Sequence, residues 1–345
     1  MSTFQLGQPK RAQSALFELE KKESVMVQKC LVTGVAGFIG SHLAERLLAE
    51  GYEIVGLDCF TDFYPRAIKE ANLQSLRGRP GFRFIEDDLC TMDLASLLRE
   101  MDYVLHEAAQ AGVRSSWGSE FMAYVNNNIV ATQRLLEASR GSNLRKFVFA
   151  SSASVYSNAA TLPTREDAPL RPYSPYGVTK LAAENLCHLY HDNLGLPTIV
   201  LRYFSVYGPR QRPDMALHRF IERMLQEKPL PLFGDGTQTR NFTYISDVVE
   251  ATVLAMRSPV TGRTFNTGGG SRATINQVIA LLEEIIGKRA IIDQQNKQHG
   301  DASHTWADTT AAEEVLGFKA HVGLREGLAT EVNWLRQSLE RRKAV

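Results

Sequence analysis

Along the first two thirds of the chain, two kinds of apolar pattern alternate. Short, nearly unbroken apolar runs begin at residues 29 (KCLVTG), 52 (YEIVGLD), 82 (FRFIEDDL), 102 (DYVLHEAA), 145 (RKFVFASSAS) and 197 (PTIVLRYFSVYG). Runs of this length without polar alternation read as strands covered on both faces. Between them lie stretches with apolar residues at helical spacing: FIGSHLAERLLAEG, VNNNIVATQRLLEASR and PYGVTKLAAENLCHLYHDNLG. Residues 28–58 make one strand–helix–strand unit of the expected length. The alternation predicts an α/β fold with a doubly wound parallel sheet.

After residue 205 the pattern changes. Pro and Gly become frequent, as in YGPRQRPDM and EKPLPLFGDGTQTRNFTY, and short helices mix with short strands. We expect three parts: residues 1–27 as a flexible, Lys-, Glu- and Gln-rich N-terminal extension; 28–205 as a nucleotide-binding domain; and 206–345 mainly as a smaller α/β substrate-binding lobe, with segments crossing back to the main sheet. No internal repeat or low-complexity tract interrupts this plan.

Composition narrows the function classes. The 345 residues are 44% hydrophobic and 22% charged, with net charge +1, so no strong field favours nucleic acid or an anionic membrane. No apolar run approaches the ~20 residues of a membrane span. The first 25 residues are too polar for a secretory signal. Cys30, Cys59, Cys90 and Cys187 are far apart with no CxxC pair. They read as reduced core thiols of a cytoplasmic protein, with no metal set and no disulfide framework.

The chemistry begins at TGVAGFIG. Gly34, Gly37 and Gly40 follow a strand and open a helix. Gly34 allows a tight turn, Gly37 lets the backbone approach a diphosphate at the helix N-terminus, and Gly40 permits close helix–strand packing. Asp58 ends the next strand, where its carboxylate can accept hydrogen bonds from both ribose hydroxyls and would repel a 2′-phosphate. This points to NAD rather than NADP. Asp88 and Leu89 end the third strand on the same edge and face the adenine; HEAAQAG ends the fourth and borders the cofactor.

Tyr176 and Lys180, in YGVTK, are four residues apart on a helix and therefore share a face. A nearby ammonium and an oxidised nicotinamide would lower the phenol's pKa from about 10 and turn Tyr176 into a base. It could then remove a hydroxyl proton as hydride leaves the same carbon. Ser152, at a strand end, would hold the reacting oxygen.

With TGVAGFIGSHL, HEAAQAGVR, ASSASVY, YGVTK, RYFSVYGPRQRPDMA and TRNFTYISDVV in view, the chain resembles the extended short-chain dehydrogenases/reductases of the NAD-dependent sugar-nucleotide epimerase/dehydratase type, from residue 28 to about 335. The resemblance implies a Rossmann-type domain with tightly held NAD, a C-terminal lobe gripping a nucleoside-diphosphate sugar, and a homodimer. It implies cofactor contacts from Gly34, Gly37, Phe38, Ile39, Gly40, Asp58, Asp88, Leu89, Ala108, Gln110, Tyr176 and Lys180, with Ser152, Tyr176 and Lys180 catalytic. Arg114, Ser152, Ser154, Ser205, Arg212, Met215 and Arg240 are the implied substrate contacts, Arg240 on phosphate.

Similar dehydratases carry an Asp–Glu pair just before VYG, and similar glucuronate decarboxylases a Glu. Here Ala153 and Ser154 stand there, which leaves oxidation and re-reduction at C4. GPRQRPDMA, FTDFYPRAIKEANL and Gln298 look most like UDP-glucuronate 4-epimerases, while Ser157 replaces the usual Gly after VY. The expected reaction is UDP-glucuronate to UDP-galacturonate through a 4-keto intermediate. The alternatives are a 4-epimerase of UDP-glucose or UDP-N-acetylglucosamine and a non-catalytic NAD-binding sensor.

Overall fold

A computed structural model describes residues 27–156, 161–297, 300 and 302–343. Residues 1–26 of the N-terminal extension, Ser157 and Gln298 lie outside the described residues.

The first part runs β1 (Lys29–Thr33), α1 (Phe38–Ala49), β2 (Glu53–Asp58), α2 (Arg66–Leu73), β3 (Phe82–Glu86), α3 (Leu94–Leu98), β4 (Tyr103–His106), α4 (Phe121–Tyr124), α5 (Ala131–Ala138), β5 (Lys146–Ser152), α6 (Pro175–Leu194) and β6 (Thr198–Tyr203). The second continues with β7 (Val206–Tyr207), α7 (Ala216–Leu225), β8 (Leu230–Phe233), β9 (Thr239–Tyr244), α8 (Ile245–Arg257), β10 (Arg263–Thr267), β11 (Ser271–Thr274), α9 (Ile275–Ile286), β12 (Ile292–Gln295), α10 (Thr310–Leu316) and α11 (Leu324–Lys343).

The main sheet has seven parallel strands in the order β10-β6-β5-β4-β1-β2-β3. The order reverses between β1 and β4, where open α/β sheets bind ligands beyond the strand C-termini. Both faces are covered, which is why the central strands carry no polar alternation. On one face Leu43 and Leu47 of α1, Val248 of α8 and Phe318 join Val32, Val148 and Phe265. On the other, Leu135 and Cys187 of α5 and α6 join Leu31, Val104 and Phe149. Cys30 and Cys187 are buried, but Cys59 is exposed and Cys90 only half-buried, so the cysteines are not all core thiols. Cys59 follows Asp58 off the end of β2, where the chain has left the core.

The second lobe has its own core of Leu217, Phe220, Phe242, Val278, Leu282 and Leu328. Around it sit a three-stranded sheet, β11-β9-β7, and the β12-β8 pair. Thr274 and Gln277 form a capping box at the start of α9. Three segments of this half lie on the main sheet: α8 and α10 pack on its face, and β10 pairs with β6.

Two elements differ from their sequence reading. The run from 197 to 208 is not one strand: β6 ends at Tyr203, and β7 joins a different sheet after Ser205, whose φ is +20°. The helix read over 125–140 opens with a π-helical turn, Val125–Val130, between α4 and α5. Such turns insert a residue into the helix and commonly accompany functional sites.

A buried ion pair ties the layers together. Arg202 on β6 meets Glu184 on α6 at 2.8 Å, with both side chains almost fully buried. Arg202 also donates to the Tyr156 hydroxyl at 2.7 Å, and that hydroxyl donates to Asn266 of β10 at 2.8 Å.

Candidate active site

The turn between β1 and α1 is held backbone to backbone. Gly34 N–H donates to Leu57 O at 2.8 Å and Gly37 N–H to Gly34 O at 2.9 Å. Gly34 has φ +67°, and a Cβ there would sit 2.8 Å from the Ala108 backbone. A Cβ on Gly40 would collide with Gly34 O. The N-terminus of α1 has no side-chain cap, so its first-turn amides remain available to an anion.

Gly34, Gly37, Phe38, Ile39 and Gly40 line a cavity together with Asp58, Asp88, Leu89, Ala108, Gln110, Tyr176 and Lys180. Asp58 Oδ2 accepts from Ala36 N at 3.1 Å and Oδ1 from Phe60 N at 2.8 Å, which orients the carboxylate. Burial raises its pKa, against the pull of those amides and of Lys69. An uncapped helix N-terminus, a close glycine turn and an oriented acid in one cavity fit a dinucleotide with free ribose hydroxyls.

Behind this cavity runs a buried polar chain that the sequence did not signal. Ala108 N–H donates to Thr33 Oγ1 at 3.1 Å; Thr33 Oγ1 meets His106 Nδ1 at 2.7 Å. His106 Nε2 meets Thr132 Oγ1 at 3.0 Å, which donates to Asn128 O at 2.6 Å. A neutral His106 with its proton on Nε2 satisfies every group in the chain. Burial, then the Lys180 charge, lowers its pKa to about 3. Asn128, on the π turn, accepts from Gln110 N at 2.8 Å and donates to Gln110 O at 3.0 Å and Thr179 Oγ1 at 2.9 Å. Asn128 thus joins the β4 loop to the helix carrying Tyr176 and Lys180.

Ser174 caps α6 by accepting from Gly177 N at 3.1 Å, and Pro175 starts the helix. This places Tyr176 in the first turn, its ring edge-on to Tyr124 at 6.2 Å. Burial raises the Tyr176 pKa; the adjacent Ser152 hydroxyl and then the Arg212 charge oppose the rise. Lys180 is buried, donates to Ala150 O at 2.6 Å and sits 4.7 Å from the Phe149 ring centroid. Burial pushes it down to about 8, opposed by Glu107 and Glu184. The spacing thus puts Tyr176 and Lys180 in one cavity, and Arg212 adds a second cation whose charge favours the phenolate.

Tyr176 and Arg212 also line a second, larger cavity of about 640 Å³. Ser152, Ser154, Ser205, Met215, Arg114 and Arg240 all reach it, and Ala153 brings no carboxylate. Arg212 is clamped by Asp214 through Nε at 2.9 Å and Nη2 at 3.0 Å. The Arg114 guanidinium stacks 4.1 Å from the Phe233 ring centroid, and Arg240 donates to Thr239 O at 2.9 Å. Arg219 of α7 lines the cavity too and was missed by sequence reading. Its only signal is position, four residues after Met215 on the same helical face. Glu107 and Tyr203, bonded to one another at 2.9 Å, complete the wall of the first cavity. Among the described residues no group of His, Cys, Asp and Glu is placed to hold a metal ion.

Comparison with known proteins agrees with this geometry. The family model described as the NAD dependent epimerase/dehydratase family matches residues 30–268. The "Uncharacterized UDP-glucose epimerase YtcB" of Bacillus subtilis (strain 168) is 48% identical over 309 residues, 89% of this chain and 98% of its own length. The "UDP-glucuronate 4-epimerase" of Thermodesulfobacterium geofontis (strain OPF15) is 40% identical over 320 residues, 91% of this chain and 98% of its own. The crystal structure of UDP-glucuronic acid 4-epimerase from Bacillus cereus, in complex with UDP-glucuronic acid and NAD, superposes with a TM-score of 0.88. It is 47% identical and is covered in full, against 90% of this chain.

Proposed function

The chain belongs to the NAD-dependent epimerase/dehydratase family, and we propose that it is a UDP-sugar 4-epimerase converting UDP-glucuronate to UDP-galacturonate. The observation that carries this reading is the position of Tyr176, which lines both the dinucleotide cavity and the arginine-rich cavity beside it. A base there meets cofactor on one side and sugar on the other.

NAD, when bound, supplies reversible hydride acceptance at C4. Gly34, Gly37, Gly40 and the α1 N-terminus would hold its diphosphate, and Asp58 its adenosine ribose. Tyr176 removes the 4-hydroxyl proton while Ser152 holds the reacting oxygen. Lys180 acts from below, anchored on Ala150. The second cavity, of about 640 Å³, is where the 4-keto sugar would turn about its diphosphate link. Tyr176 then returns the proton with the opposite face presented. Arg114, Arg212, Arg219 and Arg240 supply charge for the diphosphate. Ser152 and Ser154 offer hydroxyls to the hexuronate carboxylate, which keeps it out of line for loss of CO₂ from the β-keto acid. With Ala153 and Ser154 where an acid would stand, elimination and decarboxylation lack a participant.

The reading extends to a homodimer, supported by the exposed Met122 and Val130 on the 121–138 helix and Val178 and Leu189 on α6. A cytoplasmic location is supported by four cysteines with no disulfide among them.

One experiment tests the function: incubate the purified protein, without added NAD, with UDP-glucuronate and separately with UDP-glucose, and analyse the sugars by NMR. UDP-galacturonate with little CO₂ is expected. UDP-galactose alone would move the substrate to the neutral sugar named for the B. subtilis relative. No product from either, even with NAD supplied, would overturn both.

A further inference from the structure

One acid in the dinucleotide cavity has no part in the mechanism above. Glu107 is the residue after β4, and the register His106↔Phe149 sets it abreast of Ala150, the residue whose carbonyl anchors Lys180. The Tyr203 hydroxyl donates to Glu107 Oε1 at 2.9 Å and is itself 2.8 Å from Thr252 Oγ1. Among the described residues Tyr203 is the side chain hydrogen-bonded to the Glu107 carboxylate, and Glu107 lines the cavity. Glu184, the other acid near Lys180, is committed to Arg202, whereas Glu107 forms no ion pair among the described residues. The remaining acids of the cavity, Asp58, Asp87 and Asp88, stand at the ends of β2 and β3, at the ribose end. Glu107 alone stands with Tyr176, Lys180 and Tyr203.

We propose that Glu107 biases the bound cofactor toward its oxidised form, which makes return of the hydride to the 4-keto sugar the favoured direction. The oxidised nicotinamide ring carries a positive charge and the reduced ring does not. A carboxylate that shares a low-dielectric cavity with that ring would therefore stabilise one redox state against the other. Burial, opposed by Tyr203 and Lys180, holds the Glu107 carboxyl at about 7, and a cationic ring in the same cavity would favour its ionised form. Such a bias suits a reaction whose keto intermediate must not accumulate. The inference rests on the NAD-dependent reading of the site.

The test is a potentiometric titration of NAD-loaded protein with a mediator dye, followed at 340 nm, in wild type and Glu107→Gln. Glutamine keeps an acceptor for Tyr203 and removes the charge. We expect the variant's cofactor to be about tenfold easier to reduce, a shift of about 30 mV for a two-electron couple, toward less negative potential. Tyr203→Phe, which keeps the acid but strips its hydrogen bond, should shift the potential the same way by less, and serves if the glutamine variant does not fold. NAD retained at an unchanged potential in both variants would overturn the role of Glu107 and leave the epimerase reading standing. A wild-type protein that takes up no NAD would overturn both.

Discussion

The Lys180 ammonium is anchored on the Ala150 carbonyl, 2.6 Å away, and not on the Tyr176 phenol one helical turn before it. The lysine is thereby fixed to the end of β5, where it faces the dinucleotide cavity from below. Its charge is sensitive to pH, because burial lowers its pKa to about 8. The ammonium is present below that value and lost above it. We expect kcat/KM to fall as pH rises through about 8, and the fall to move to higher pH in Lys180→Arg, since guanidinium stays charged. A pH–rate profile of the two proteins checks this; an unchanged alkaline limb would place the titration elsewhere.

His106 predicts an acid limb in stability. Its folded pKa is about 3, below the ordinary 6.5. Between those values the unfolded chain binds a proton that the folded chain refuses, so stability rises with pH there. The contribution is complete above about 6.5 and is lost progressively as pH falls toward 3, at up to about 1.4 kcal/mol per pH unit. His106→Gln should start less stable at pH 7 but lose stability less steeply on acidification, as urea melts at a series of pH values would record.

The Arg202–Glu184 pair predicts a large single-site effect. Glu184→Gln leaves a buried guanidinium without its counter-charge and should cost about 3–5 kcal/mol. The loss should appear as a lower denaturant midpoint for the whole main sheet, because Tyr156 and Asn266 share the same network. Changing Arg202 and Glu184 together to apolar residues of similar volume should recover much of it.

Ser154 predicts a change in selectivity rather than in rate. Ser154→Ala should raise KM for UDP-glucuronate by about tenfold, the value of one hydrogen bond to a charged group, and leave KM for UDP-glucose within about twofold. Equal effects on both sugars would mean that the hydroxyl does not meet the carboxylate.

The sheet and the glycine turn were legible because backbone constraints leave few alternatives. A buried parallel strand must be apolar on both sides, and only glycine fits where Gly34 meets Ala108. What stayed hidden depends on where flexible or short polar groups turn. Helical spacing brings Tyr176 and Lys180 to one face but does not say that an ammonium on a four-carbon stem will choose a carbonyl. The π turn carries Asn128, which serves Gln110 and Thr179 at once, and those partners are far from it in sequence. Nor does the 197–208 run announce its break, because Phe204, in the break, is as apolar as the strands on either side of it. HEAAQAG is expected to border the cofactor, but nothing in it singles out Glu107, and Arg219 carries no motif at all; only the cavities give these two side chains an address.

The place of β10 has a consequence for how the chain is made. Arg263–Thr267 completes the main sheet on the open side of β6, yet it is reached only after the first strands and helices of the other lobe have been synthesised. Until then β6 presents its unpaired backbone edge, with Arg202 waiting for the network that Asn266 closes. The emerging polypeptide cannot finish one half and then begin the other; the two must be assembled as a single interlaced event, with the long-range closure that makes such folding slow. A ribosome stalled anywhere between Tyr203 and Arg263 should therefore hold a nascent chain that is still open to proteases and chaperones, however much of the nucleotide pocket it already contains.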